Sequence, residues 1–246
     1  MNILVCIGNV PDTTTKVKFA DNKLDTTGIQ WIINPWDELA LTRALELKES
    51  GAGVDKISVV SVGAVGVEAT MRKALAIGAD DAFRVDVEPT DAYFTAAQIA
   101  ELVKTGSYDV VLAGIENSDY NGVSIGGMLA EILDYASVSA VSALNIEGGK
   151  LVIDREVDGG KEKISTETPV VLTVQKGIAL DPRIPAMRGI MMARRKPLTV
   201  VPAVSVDNLT EIVSYELPAV KGACKLFDAE DAVGLVNALK NEAKVI

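Results

Sequence analysis

The segment 111-VLAGIENSDYNGVSIGGMLAEIL-133 decides how this chain is read. An apolar run closes at Gly114, a polar stretch of Asn, Ser, Asp and Gly follows, and a helical pattern opens near Ser124. A buried strand that passes through a polar loop into a helix is part of a strand-helix-strand unit, the unit from which parallel sheets are built. The same grammar runs through the N-terminal side. Apolar runs at 2-NILVCI-7, 56-KISVVSV-62, 82-AFRVDV-87 and 109-DVVLAG-114 predict strands. The stretches 37-DELALTRALELKES-50, 66-GVEATMRKALAIG-78, 91-DAYFTAAQIAELVKTG-106 and 124-SIGGMLAEILD-134 predict helices between them. Gly51, Gly78 and Gly106 follow these patterns where a left-handed residue commonly ends a helix.

This alternation predicts an α/β fold: a doubly wound, mostly parallel, Rossmann-like sheet with helices on both faces and ligands at the carboxyl ends of its strands. After about residue 145 the grammar changes. The segment 145-NIEGGKLVIDREVDGGKEKISTETPVVLTV-174 places Gly-Gly turns between alternating runs and reads as antiparallel hairpins added to that sheet. A Pro-punctuated loop and a basic helical stretch follow over 181–197, then a short strand. Residues 1–202 form the expected α/β domain, and 203–246 an extended arm closed by an amphipathic helix from about Asp228.

Composition removes several kinds of chemistry. The chain contains no histidine, which excludes Ser-His-Asp and Cys-His catalysis and the usual zinc ligand sets. A net charge of −10 argues against a general nucleic-acid surface. The longest apolar runs fall far short of the roughly 20 residues that a bilayer span requires. The N-terminus opens directly on a strand pattern rather than a basic and then apolar leader, so a cytoplasmic or organelle-matrix location is expected. Cys6 and Cys224 read as structural thiols. A binding or carrier role is favoured over a self-sufficient enzyme.

In 114-GIENSDYNGVSIGG-127 the loop delivers the chain to a helix start, where unpaired N–H groups and the helix dipole favour an anion such as phosphate. Gly122 lets the backbone turn closely, and Val123, Ser124 and Ile125 offer amides, Ser124 also a hydroxyl. Gly126 and Gly127 weaken the helix by about 1 kcal/mol each against Ala, which makes sense where something approaches closely. The same residue types also make an ordinary turn and cap. Neither a Walker loop nor GxGxxG is present. The loops 6-CIGNVPD-12 and 61-SVGAVGVEAT-70 are expected at the same sheet edge, and Asn34 in 31-WIINPWDELA-40 either caps the following helix or presents its amide to a ligand. Together these loops describe an adenine-nucleotide pocket.

Along most of its length the sequence resembles the beta subunit of electron-transfer flavoprotein. The resemblance runs through 2-NILVCIGNVPDTTTKVKF-19, 33-INPWDELALTRALELKE-49 and 74-ALAIGADDAFRV-85, and is most specific over 152-VIDREVDGGKEKISTETPVVLTV-174 and 181-DPRIPAMRGIMMARRKPLTVV-201. It implies an electron-carrier subunit that pairs with an alpha subunit holding most of a redox-active FAD. It also implies AMP bound without a redox role, or in electron-bifurcating members a second FAD in its place. Carried over by position, the nucleotide contacts fall on Cys6, Asn34, Val62, Asp119, Val123, Ser124 and Ile125. The acidic and Gln- or Thr-containing run common in the family is replaced here by 118-SDYNGVSIG-126. The resemblance further implies a recognition loop over 181–197 that docks acyl-CoA-type or other flavin dehydrogenases. Met187 is its apolar anchor there, Ile190 lies beside it, and Arg194 and Arg195 lie in a basic cluster that either steers an acidic partner or is a solvated helix end. Glu156 aligns with a family glutamate thought to tune domain motion during transfer, and reads equally as a simple surface residue. The alternative reading of Ile190, Met191 and Met192 is core packing. A universal-stress-type nucleotide-binding protein shares the expected sheet topology but leaves residues 145–246 unexplained.

Overall fold

The computed structural model describes residues 1–20 and 23–246. The chain opens with strand β1 (Asn2–Cys6). Strands β2 (Asn9–Pro11), β3 (Phe19–Ala20), β4 (Lys23–Leu24) and β5 (Trp31–Ile33) then form two small antiparallel ribbons, β2 with β5 and β3 with β4. Helix α1 (Pro35–Glu49), β6 (Lys56–Val62), α2 (Glu68–Ile77), β7 (Asp81–Val85), α3 (Ala92–Thr105), β8 (Val110–Gly114) and α4 (Ile125–Leu133) follow in strict alternation. The remaining elements are β9 (Ala136–Glu147), β10 (Lys150–Val157), β11 (Gly160–Thr166), β12 (Val170–Val174), α5 (Met187–Ala193), β13 (Leu198–Val201) and α6 (Ala232–Asn237).

Nine strands form one sheet in the order β11-β10-β9-β12-β8-β1-β6-β7-β13. The pairings from β9 across to β13 are parallel, whereas β10 and β11 are antiparallel additions. The chain builds outward from β1 through β6 to β7. Helix α3 then returns it across the sheet to β8 on the other side of β1, so the loops after β1 and β8 part in opposite directions and open a crevice between them.

The strands carry apolar residues on both faces because both are covered. Ile3, Val5, Ile57, Val59, Val110 and Leu112 pack under α1 and α2, while Leu4, Val60, Val111 and Ala113 pack under α3 and α4. Truncating a fully buried member such as Leu112 to Ala costs about 2–5 kcal/mol.

Residues 170–174 depart from the hairpin reading. They form β12, inserted parallel between β8 and β9. Val170, Val171, Leu172 and Val174 are all buried, the pattern of a strand covered on both faces rather than of an edge hairpin. Long strand β9 serves both halves. Its start pairs parallel with β12 and its end antiparallel with β10, with register shifts where the two regimes meet. At the helix ends, Gly51 is left-handed at φ 74° as expected, but Gly106 is not, at φ −98°.

From residue 202 the arm crosses the surface without joining a sheet until α6. It is tied at its root by Gln98, whose Nε2 donates to the Val204 carbonyl at 2.8 Å and whose Oε1 accepts from the Val204 N–H at 2.9 Å. Further on, Tyr215 stacks on Phe19 with ring centroids 4.9 Å apart. Leu209, Leu217, Val220, Leu226 and Val233 are exposed along it. Of the two cysteines expected to be structural, Cys6 is buried, but Cys224 is exposed because it lies on this arm.

Candidate functional site

The first turn of α1 organises the crevice. Pro35 starts the helix, and the Asn34 carbonyl accepts from the N–H groups of Asp37 and Glu38, both at 3.0 Å. The Asn34 side chain neither caps this helix nor lines the cleft. Its Nδ2 donates to the Glu116 carbonyl at 2.8 Å and its Oδ1 accepts from the Ser118 N–H at 3.2 Å, so the amide is used to pin the loop after β8. Asp37 does the complementary work. Its Oδ2 accepts from Gly8 N–H at 2.7 Å and its Oδ1 from Gly114 N–H at 2.6 Å, joining the ends of β1 and β8 across the point where the sheet reverses direction. Gly114 has to be glycine, since a Cβ there would lie 2.6 Å from both Asp37 Oδ1 and Trp36 Cβ.

Asp37 is only 3% exposed. Burial pushes its carboxyl up to about 6, against the opposing pull of the Gly8 and Gly114 amides and the Asn34 side chain. Burial also raises the neighbouring Cys6 thiol, and the Asp37 charge adds to the effect, so Cys6 is held as a neutral thiol with no nucleophilic character.

Above this floor lie two adjoining chambers. The inner one, about 310 Å³, is lined by the loops after β1, β6 and β8, including Cys6, Asn9, Ser61, Val62, Asn117, Asp119 and Ile125. The outer one, about 330 Å³, lies between loop 114–125, the start of α3 and arm residues Thr210, Glu211 and Ile212. The loop after β6 is set from behind by buried Arg84, which donates to the Gly63 carbonyl at 3.0 Å, pairs with Glu68 at 3.0 Å and hydrogen-bonds Asp86.

The loop after β8 turns through Asn117, whose carbonyl accepts from Tyr120 and Asn121 N–H. The left-handed positions are Asn121 (φ 54°) and Val123 (φ 52°), rather than Gly122. A Cβ on Gly122 would instead meet the Tyr120 ring at 2.9 Å, so that glycine serves a close approach within the loop. A β-branched residue in the left-handed region costs about 1–3 kcal/mol and persists where surrounding structure enforces it. Ser124 stands at the N-cap of α4 without capping it by its side chain, which leaves its hydroxyl and the orphan amides of the first turn at the cleft. The lack of a side chain at Gly126 serves packing. A Cβ there would collide with Thr173, so its smallness seats α4 on β12, whereas Gly127 faces open space.

The electrostatics are unusual for an anion site. Among the described residues no lysine or arginine lines either chamber, while Glu88, Asp91, Glu116, Asp119 and Glu211 do. Burial raises the Asp119 carboxyl. An anionic group here rests on amides, hydroxyls and helix dipoles alone, which suits a single phosphate better than a chain of them.

Of the residues singled out from sequence, Cys6, Val62, Asp119, Gly122, Val123, Ser124 and Ile125 line this cleft, and Asn34 lies behind it. Sequence reasoning missed Asp37, Asn117 and the arm wall. An acidic residue in a first helical turn reads as a dipole complement, and nothing local reveals amide partners 29 and 77 residues away.

The second region is α5. Met187 is 74% exposed, and Ile190, Met191 and Met192 are exposed as well, so they are not core, and Ala193 alone in this helix is buried. Helix α5 sits tightly on α2, since a Cβ on Gly189 would strike the Ala76 carbonyl. The basic cluster is divided. Lys196 donates to the carbonyls of Leu75 (3.0 Å), Gly78 (3.2 Å) and Ala79 (2.6 Å) at the end of α2, while Arg194 and Arg195 are exposed. Glu156 lies on β10 in the opposite half of the sheet, paired with Lys161 at 3.1 Å and facing a cavity shared with Trp36 and Val123.

An open, doubly wound sheet with an amide-lined cleft where its strand order reverses places the chain among the Rossmann-like α/β proteins, which hold ligands at that point of the sheet. The comparisons narrow this. An electron transfer flavoprotein domain matches residues 21–206. The chain is 34% identical to electron transfer flavoprotein subunit beta of Syntrophomonas wolfei over 249 residues, covering 100% of this chain and 98% of that protein. It is 34% identical to the Bacillus subtilis subunit beta over 260 residues, 100% of both, and 30% identical to the Homo sapiens subunit beta over 245 residues, 95% of both. The chain belongs to the electron transfer flavoprotein beta-subunit family, whose members are generally electron carriers rather than catalysts. Among the described residues no helix is long and apolar enough to cross a membrane.

Proposed function

We propose that this chain is one half of a heterodimeric electron carrier. It binds AMP in the cleft and pairs with an alpha subunit that holds most of the FAD. The observation that carries the nucleotide part is the cleft itself, in which uncapped amides at the start of α4 face chambers that no cation lines. FAD on the partner accepts and releases the electrons, and this chain shapes the surroundings and the docking. The long arm, with Leu217, Val220, Leu226 and Val233 in water, supports a large partner that covers it. Met187 and Ile190 beside Arg194 and Arg195 make a compact apolar and basic surface suited to acyl-CoA-type or other flavin dehydrogenases, which would pass electrons on to a downstream acceptor. Glu156 would act from the other half of the sheet.

The outer chamber favours a second reading, in which a second FAD occupies both chambers as in a bifurcating carrier. Against it stand the acidic lining and the absence of any lysine or arginine there to hold a pyrophosphate. The test is to co-purify the chain with its alpha subunit, release ligands with acid and separate them by chromatography. Equal AMP and FAD support the proposal, two FAD per heterodimer support the second reading, and no adenine nucleotide beyond one FAD overturns the nucleotide assignment.

A further inference from the structure

The sheet's own loops do not close the outer chamber. Arm residues Thr210, Glu211 and Ile212 form one wall, facing the loop that ends at Ile125. One carboxylate holds that wall in place. Asp91 Oδ1 accepts from Phe94 N–H at 2.6 Å and so caps α3, while its Oδ2 accepts from the N–H groups of Leu209 at 2.6 Å and Thr210 at 2.8 Å. Next to it, Thr90 Oγ1 donates to Asn208 Oδ1 at 2.6 Å. Both oxygens of Asp91 are thus committed to backbone amides, and these hold its carboxyl below the ordinary range.

We propose that Asp91 is a positioning residue that makes arm segment 208–212 a movable wall of the nucleotide site, closing on the bound ligand and opening without it. The inference rests on the nucleotide reading above. This part of the arm belongs to no sheet or helix, so a few hydrogen bonds set its place, and such segments open at low free-energy cost. A ligand in the outer chamber touches Thr210 and Ile212 only when the segment is closed. Its binding therefore favours the closed state, and by linkage the closed state favours its binding.

The test uses the full chain in complex with its alpha subunit, stripped of nucleotide, with AMP as the probe. Asp91→Asn separates the two roles of the side chain. Asparagine has one acceptor oxygen where aspartate offers two; with that oxygen at the α3 N-cap, where asparagine serves as well as aspartate, its Nδ2 faces the Leu209 and Thr210 N–H groups, donor against donor, and unchanged Phe94 exchange identifies that orientation. The expected results are an AMP affinity about tenfold weaker in the variant, and slower hydrogen exchange at Leu209 and Thr210 when AMP binds the unaltered complex. In the variant that slowing disappears, and Phe94 exchange stays unchanged. Thr210→Pro removes both donors that Thr210 offers Asp91, its N–H at 2.8 Å and its hydroxyl at 3.4 Å, from the arm side alone, and carries the same expectation for AMP affinity and Leu209 exchange where Asp91→Asn fails to assemble. AMP affinity in these variants within about twofold of the unaltered complex overturns the inference, as does AMP binding that leaves exchange at Leu209 and Thr210 unaltered. An unaltered complex that binds no AMP removes the nucleotide reading as well, whereas tight binding without an arm response removes only the movable wall.

Discussion

Replacing Asp37 with asparagine should remove a pH-dependent loss of stability and at the same time weaken the cleft. Burial holds the Asp37 carboxyl at about 6 against an ordinary 3.8, so the folded state binds its proton more tightly than the unfolded state does. The stability this group contributes is therefore fully present below about pH 3.8 and is lost as the pH rises through about 6. At about 1.4 kcal/mol for each pH unit between the two values, the ionised carboxylate opposes folding by about 3 kcal/mol once it is fully charged. Asparagine does not titrate. The stability of Asp37→Asn minus that of the unaltered chain should thus rise by about 2–3 kcal/mol between pH 4 and 7.5, whatever the fixed offset from altered hydrogen bonds. The assay is urea unfolding of both chains at several pH values, followed by circular dichroism. With slopes of about 2–3 kcal/mol/M for a chain of this size, the gap between their midpoints should open by about 1 M. Because asparagine can accept only one of the Gly8 and Gly114 amides well, AMP affinity should fall. Parallel stability curves across that range would refute the reasoning.

Three further outcomes follow from other contacts. Gly114→Ala should cost about 1–3 kcal/mol by overpacking and reduce AMP affinity, read by thermal melting and calorimetric titration, because the added Cβ meets Trp36 and the Asp37 carboxylate. Lys196→Met should destabilise the chain by about 1–3 kcal/mol, visible in urea unfolding, by orphaning carbonyls at the end of α2, with AMP affinity unchanged. Met187→Ala together with Ile190→Ala should weaken dehydrogenase docking at least about tenfold in steady-state electron transfer with little change in melting temperature, since Met187 is exposed and Ile190 half-exposed.

The parallel half of the fold was legible because strands β1, β6, β7 and β8 are apolar on both faces and alternate with helices α1 to α4, a pattern carried by neighbouring residues. Strand β12 was misplaced because flanking Gly-Gly turns suggested a hairpin, although its Val-Val-Leu-Thr-Val run is apolar on both faces and points to a covered strand. The start of α4 and its loop were legible as a site because turn chemistry is local. Asp37, Asp91 and the arm wall were not, because their meaning lies in amides that the fold brings from elsewhere in the chain. Apolar composition also leaves open whether a helical surface is covered, and Ile190, Met191 and Met192 of α5 are half-exposed or more.

The most direct test is a crystal structure of the chain with its alpha subunit and AMP. The phosphate should lie about 3 Å from the amide nitrogens at Val123, Ser124 and Ile125, with the rest of the nucleotide between the loops that follow β1, β6 and β8. A phosphate held on any other element, or Tyr120 and Val123 filling the cleft while AMP binds elsewhere, would contradict the account.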